Sequence, residues 1–479
     1  MRRVKKNRNP RAASWTLGLD LGTTAVKAVL LDPAGRTVAL TREPAPLVER
    51  PEEGLAEIPL APLQRAAGSA LTRALRHAPA AVPLRLGIAS QRSSAVVWDA
   101  RTGRPLGPGL CWRDRRVALP WPPAGLTERE VARRTGLRLS PHYGAGKIAR
   151  LLRAGTPPGA DLRAAPLPSW LVWRWSRGRL LVSDPTLAAR LLLWNLKDNA
   201  WDPRLTRAFG VRQSLLPRVL PSAAEYGTLG IGGRRLALGA MIGDQQAAAL
   251  ALGLGAGFGL INLGTGAFLL CPTGTRPVRA RGLLSTALWS DADGVRYALE
   301  GTVNSLGALY GHFRKRGLGD PSRESLPSPA EAERLPACLP ALAGTGAPRW
   351  DPSERLRFAG EGVRPSARAR RRAALLAPAY RLREIWDALP ASRRPDRLVV
   401  SGGLAACGPL VQALADLLQR PLIRGGSQEA TALGAALLAN GGLGGIPPPS
   451  GETVRPRASR EKAYRRWARL LKTAASSLP

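Results

Sequence analysis

Gly243-Asp244-Gln245-Gln246 opens a stretch that runs through small apolar residues to Leu260-Ile261-Asn262-Leu263-Gly264-Thr265-Gly266-Ala267-Phe268-Leu269-Leu270. Two apolar arms around a Gly-Thr-Gly turn read as a β-hairpin. The tip offers backbone N–H groups and a hydroxyl with little side-chain bulk, which suits it to hold a phosphate. Asp244, about one helix upstream, is suited to take a proton. The same device recurs near the N-terminus, where Leu17-Gly18-Leu19-Asp20-Leu21-Gly22-Thr23-Thr24 leads through Lys27 into Ala28-Val29-Leu30-Leu31. Two copies of strand, Gly-Thr turn and strand, about half a chain apart, predict a duplicated α/β fold with two lobes facing one nucleotide.

The 479 residues are enough for two domains with large cores. A formal charge of +37 invites a nucleic-acid reading, but 63 of the 71 basic residues are Arg, scattered along a chain rich in Ala, Gly and Pro. That pattern follows from GC-rich codon usage, so no specific nucleic-acid partner is expected; the charge instead favours anionic substrates. Cys111, Cys271, Cys338 and Cys407 are far apart and read as reduced core thiols in a cytoplasmic protein. His77, His142 and His312 have no Cys or acidic neighbours at ligand spacing, so the sequence supports no zinc site. The uncharged run from Gln245 to Thr275 carries Asn262, two Gln and many Gly, so it predicts buried sheet and not a membrane span.

Along the chain, residues 1–13 form a basic arm expected to be disordered. Strands follow from Trp15 to Leu40, with Asp32-Pro33-Ala34-Gly35 as a hairpin turn. Asp20 reads either as a turn cap or as a carboxylate near phosphates that holds a metal's water shell; the company of Gly22, Thr23, Thr24 and Lys27 favours the second. A helix from Leu60 to His77 leads to a strand ending at Ser90-Gln91-Arg92-Ser93. Strand ends of that kind line ligand crevices in α/β sheets, which makes Arg92 a candidate for gripping hydroxyls. Trp112 is either core or a platform for the C–H face of a polyol. Asp184 reads as a helix N-cap, and residues 365–388 as a basic amphipathic helix with a solvated face. Leu398-Val399-Val400-Ser401-Gly402-Gly403 is a strand ending on two glycines, followed by helices from Pro409 and from Glu429.

These segments resemble the FGGY carbohydrate kinases, and within them the glycerol kinases most closely. Asp20 to Lys27, Ser90 to Asp99, Trp112 to Arg116, Gly243 to Gln246, Gly264 to Gly266, Leu299-Glu300-Gly301 and Ser401 to Ala436 occur in the family's order over roughly residues 15 to 440. The resemblance implies a two-lobed, actin-like (ribonuclease H-like) duplicated ATPase fold closing over ATP and a polyol or sugar. It implies an acceptor-binding N-terminal domain over 14–248, a nucleotide-binding C-terminal domain over 249–445 and a basic tail over 446–479. Asp244 would be the general base, with Asp20 and Asp244 toward Mg2+. Gly22, Thr23, Thr24, Lys27, Gly264, Thr265 and Gly266 would face the phosphates, and Gly307, Gly402 and Gly403 the adenosine. Gln91, Arg92, Ser93, Trp112, His142, Asp244 and Gln245 would hold the acceptor. A homodimer or homotetramer is the implied assembly.

Two departures bear on the acceptor. Glycerol kinases read Asn-Gln-Arg-Glu where this chain has Ser90-Gln91-Arg92-Ser93, and Ser-Ala-Tyr-Phe where it has Ser140-Pro141-His142-Tyr143. Removing a paired acceptor group changes discrimination by a factor of roughly 10² to 10⁴. The acceptor is thus left open between glycerol and a bulkier polyol or ketose. A non-catalytic or regulatory actin-like ATPase or binding protein would share the Gly-Thr turns, but would have no use for Gln91-Arg92 with Trp112, and a regulatory pseudokinase would be expected to lose Asp244.

Overall fold

The computed structural model describes residues 14–117, 120–155, 157–254, 258–360, 365–426, 429–441 and 449–476. The basic arm expected at 1–13 lies outside these residues, as do 446–448 at the start of the expected tail. The chain forms two compact units: Met1–Ala251 with Ala287–Arg296 and Glu429–Pro447, and Leu252–Thr286 with Tyr297–Gln428 and Pro448–Pro479.

In the first unit the opening apolar runs become β1 (Trp15–Leu21), β2 (Ala25–Leu31) and β3 (Thr37–Pro44). β1 and β2 are apolar on both faces because both faces are covered, whereas β3 shows the buried and exposed alternation of an edge strand. The Asp32 turn closes as its sequence predicts, with the Gly35 N–H donating to the Asp32 carbonyl at 2.9 Å. α1 (Leu60–Leu75) buries Leu63, Ala67, Ala70, Leu71 and Ala74, an apolar stripe at helical spacing. β4 (Leu84–Ser90) pairs parallel to β1, and β5 (Ala95–Asp99) belongs to a smaller five-stranded sheet. After α2 (Gly144–Arg153) come β6 (Ala223–Ile231) and β7 (Arg234–Gly243), and β7 runs directly into α3 (Asp244–Ala251). The main sheet has the order β6-β7-β4-β1-β2-β3.

The second unit repeats the plan. The Gly-Thr-Gly hairpin is β8 (Gly259–Leu263) and β9 (Ala267–Gly274). β10 (Leu284–Asp291) and β11 (Gly294–Val303) follow, the residues at their turn being counted with the first unit. Then come α4 (Gly307–Lys315), α5 (Ala367–Ala388), β12 (Leu398–Ser401), α6 (Gly408–Leu418) and β13 (Leu422–Gly425). The last described elements are α7 (Ala430–Gly441), β14 (Gly451–Val454) and α8 (Glu461–Ser476). This sheet has the order β10-β11-β9-β8-β12-β13-β14. From β3 to β6 in the first sheet the successive pairings are antiparallel, antiparallel, parallel, parallel and antiparallel. From β11 to β14 in the second they run in the same sequence. The duplication read from two Gly-Thr turns therefore extends to whole sheets.

Three expectations need correction. The tail is no appendage: β14 is the sixth strand of the repeated pattern, and α8 buries Ala463, Trp467, Leu470 and Leu471 in the core of the second unit. Its Arg and Lys side chains occupy the other face, which is why the segment reads as a basic tail. α5 is not amphipathic along its length, since every residue from Ala373 to Leu382 is buried; the helix is covered by α6 and β9, and its Arg cluster is confined to the first turns. The segment Glu429–Pro447, expected within the C-terminal domain, groups instead with the first unit, and the chain returns to the second at Pro448.

The indole N–H of Trp467 donates to the Cys338 carbonyl at 2.9 Å, and its ring packs against Tyr380 and Tyr464. Trp467→Ala is expected to cost about 3–5 kcal/mol in denaturant unfolding; a loss under about 0.5 kcal/mol would mean that α8 is peripheral.

Candidate active site

In the first unit the end of β4, the end of β7 and the start of α3 converge. The parallel pairing of β4 with β7 sets Ser90 beside Gly243, so Arg92 and Asp244 leave adjacent strand ends. The Arg92 Nε lies 3.6 Å from Asp244 Oδ1, and a terminal guanidinium nitrogen donates to the Gln245 side-chain oxygen. Asp244 is the first residue of α3, and its carboxylate accepts the Gln245 N–H at 2.8 Å. A helix N-terminus and an Arg thus both place positive charge beside this carboxylate. Ser93 follows in the left-handed region (φ 64°), buried, with its hydroxyl unpartnered.

Trp112 donates its indole N–H to the Thr23 hydroxyl at 3.0 Å, which ties an expected acceptor residue to the first Gly-Thr turn. His142 meets Trp112 edge-on with ring centroids 5.6 Å apart, and Tyr143 stands perpendicular to His142 at 5.1 Å. Glu49, Arg113, Arg115, Trp112 and His142 line a recess of about 560 Å³. Gln91 is placed differently from expectation. Its side-chain amide donates to the Gly22 carbonyl and accepts from Ser94 and Cys111, so it splints the Gly-Thr turn to the strand end from inside the unit.

Asp20 is buried, and its Oδ1 has no hydrogen-bond partner. Burial, and then the Asp244 carboxylate, push its pKa up to about 7, with Lys27 pulling the other way. The Lys27 ammonium is engaged by Glu429, 2.7 Å away, just before α7. Thr24 is exposed on the turn. A buried, unpartnered carboxylate oxygen beside a second carboxylate fits a missing positive charge, and Mg2+ characteristically takes one or two carboxylates and completes its shell with water and phosphate oxygens. Among the described residues no cluster of three or more His, Cys, Asp or Glu gathers as a dedicated metal cage.

In the second unit the Gly264-Thr265-Gly266 turn is closed by the Gly264 N–H on the Gly266 carbonyl at 2.8 Å. Its outer carbonyls are taken by the start of α4: Gly307 N–H donates to Gly264, and Leu306 and Ala308 N–H groups donate to Thr265, each at 3.0 Å. The Thr265 side chain stays exposed. Gly307 and Gly402 are each required by the protein's own backbone. A Cβ on Gly307 would lie 2.7 Å from the Gly264 carbonyl oxygen, and Gly402 has φ 91° with a Cβ position 2.6 Å from the Leu263 carbonyl oxygen. Of these three glycines, Gly403 is the one with nothing within 4 Å of its Cβ position.

Sequence reading missed two residues. Asp184 is the expected N-cap, accepting from the Thr186 and Leu187 N–H groups, and burial pushes its pKa up to about 6. Beyond capping, it receives the Thr186 hydroxyl at 2.8 Å, and the Thr186 oxygen accepts the Gly243 N–H at 2.7 Å, one residue before Asp244. The available signal was a hydroxyl two residues after a capping Asp in an otherwise apolar run. Glu429 was read only as a helix start, and nothing local in the sequence links it to Lys27.

Two units built on one sheet pattern, each carrying a Gly-Thr turn, with a carboxylate at a helix start beside an Arg, define an α/β phosphotransferase of the carbohydrate kinase class. The models of the FGGY family of carbohydrate kinases match this chain over both domains, the N-terminal over residues 15–251 and the C-terminal over 259–442. A glycerol kinase of Thermus brockianus is 39% identical, over 96% of this chain and 98% of its own. Among solved structures, Plasmodium falciparum glycerol kinase with ADP aligns with a TM-score of 0.83 at 23% identity, covering 97% of this chain and 98% of its own. A ligand-bound xylulose kinase of Lactobacillus acidophilus aligns with 0.81 at 19% identity, over 97% and 99%. The chain belongs to the FGGY family of carbohydrate kinases, and within it is glycerol kinase-like.

Proposed function

We propose that this chain transfers the γ-phosphoryl group of ATP to a hydroxyl of a polyol or sugar, with Asp244 as general base. The observation that carries the reading is the Arg92 guanidinium reaching both Asp244 and Gln245 at the start of α3. It sets a positive charge beside the carboxylate and fixes Gln245, whose amide N–H₂ would donate to acceptor hydroxyls. Trp112 would pack on the acceptor's C–H face, with His142 at its edge. The turn at Gly22-Thr23-Thr24 and that at Gly264-Thr265-Gly266 would each hold phosphate oxygens through N–H groups and hydroxyls. Gly403 would admit the adenosine at the end of β12. Mg2+ held toward Asp20 and Asp244, when bound with ATP, supplies positive charge against the transferring phosphoryl group. ATP supply and free buried cysteines are consistent with a cytoplasmic setting.

Asp244→Asn removes the proton acceptor while keeping the shape of the helix start. It is expected to lower kcat by about 10² or more with ATP binding nearly intact, read by ADP release at saturating acceptor and by nucleotide titration. Retention of more than half the turnover would rule out Asp244 as the base.

Ser93 governs the acceptor. Its short side chain leaves an unpartnered hydroxyl where the glycerol kinases carry a carboxylate, and the left-handed backbone there accepts an unbranched side chain. We expect glycerol to be used poorly by the natural enzyme. Ser93→Glu should raise kcat/KM for glycerol and lower it for the best ketose or pentitol. Efficient glycerol use by the natural enzyme, with no gain in the variant, would sink this reading.

A further inference from the structure

Lys147 lies on α2 with its side chain fully buried. Its Nζ donates to three carbonyl oxygens in succession: Pro141 at 3.0 Å, His142 at 2.5 Å and Tyr143 at 3.4 Å. The side chain folds back toward the start of its own helix, where the helix dipole disfavours a cation. Burying an amine there costs folding free energy. The three carbonyls form a turn opened by the Ser140 hydroxyl, which accepts the His142 N–H at 3.2 Å. That turn carries His142 against Trp112, and Trp112 is bonded in turn to Thr23.

We propose that Lys147 is a positioning residue of the acceptor site: its ammonium gathers the carbonyls of Pro141, His142 and Tyr143 and so fixes the His142 ring on Trp112. The inference rests on the reading of Trp112 and His142 as acceptor residues. It adds a consequence that this reading does not contain, a dependence of acceptor affinity on pH. The ionisable groups that act on Lys147 are the buried Asp114 carboxylate, which favours the charged amine, and the Cys111 thiol, whose own pKa is raised by burial. Desolvation outweighs them and brings the Lys147 pKa down to about 7. Below that pH three N–H donors meet three carbonyls. Above it the neutral amine keeps two donors and turns a lone pair toward the third oxygen, so the turn loosens as pH rises through neutrality.

The test measures wild type and Lys147→Met from pH 6 to 9. Methionine keeps the length and bulk of the side chain and removes charge and donors. Wild-type KM for the best acceptor should climb several-fold as pH rises through about 7, with KM for ATP flat. In Lys147→Met the acceptor KM should be raised roughly tenfold already at pH 6 and lose its pH step, with kcat and the KM for ATP within about twofold. Amide hydrogen exchange, corrected for intrinsic rates, should show the 140–143 turn deprotected in the variant and in wild type at high pH. A flat wild-type acceptor KM, or an unchanged turn in the exchange experiment, overturns the proposal even if the variant fails to fold. A deprotected turn with unaltered acceptor KM overturns it as well, because the turn would then not be the acceptor wall. Absence of ADP release with any acceptor would instead defeat the kinase reading itself.

Discussion

The first unit depends on a contact between backbones. α7 lies on β1 and β4 so closely that a Cβ on Gly18 would fall 1.9 Å from the Ala432 carbonyl oxygen, and one on Gly87 the same distance from that of Ala435. On its other side Gly434 meets the Ala247 carbonyl oxygen of α3, again at 1.9 Å from a Cβ position. Three glycines and a helix of Ala and Leu thus let two strands and two helices meet without side chains between them. Through this contact a segment more than 400 residues from the N-terminus seats Val29 and Leu31, delivers Glu429 to Lys27 and backs the helix that begins at Asp244.

The charges at the site follow from that packing. Burial and the Asp244 carboxylate raise the proton affinity of Asp20, Lys27 is held by Glu429, and Arg92 lies close to Asp244. A base at Asp244 therefore works beside an Arg at the mouth of a helix, while Asp20 is left with an unpartnered oxygen that a nucleotide-borne cation would satisfy. The acceptor side is built from rings, with Trp112, His142 and Tyr143 in successive edge contacts and the Trp112 N–H joined to the phosphate-side Thr23. Acceptor and phosphate residues of the first unit are linked through that hydrogen bond and through the Gln91 amide on the Gly22 carbonyl.

Most of the fold was legible in the sequence because it is written locally. Gly-Thr turns between apolar arms, the Asp32 turn and the Asp184 cap each depend on a few neighbouring residues, and each forms as read. The failures are long-range. Residues 446–479 read as a tail because β14 is short and α8 is basic on its outer face; the repeated sheet order reveals β14 as the sixth strand of the pattern. α5 read as amphipathic because its Arg residues were given more weight than the ten consecutive buried positions after them. At the site, Arg92, Asp244, Gln245, Trp112 and His142 are brought together in two contacting groups. Gln91 faces inward, and the glycines at 307 and 402 serve the turn's own packing. Thr186 and Glu429 went unseen because their partners are 57 and 402 residues away.

The central claim is that this chain moves phosphate to an acceptor and does not merely hydrolyse or hold ATP. The most direct measurement is ADP release by the natural enzyme with ATP and Mg2+ across glycerol, pentitols and ketoses, with the phosphorylated product identified by mass spectrometry. Release should depend on the acceptor, be matched mole for mole by a phosphorylated polyol or ketose, and be greater for a larger acceptor than for glycerol. ADP release that is the same with and without every acceptor, or none at all while ATP binds, would contradict it.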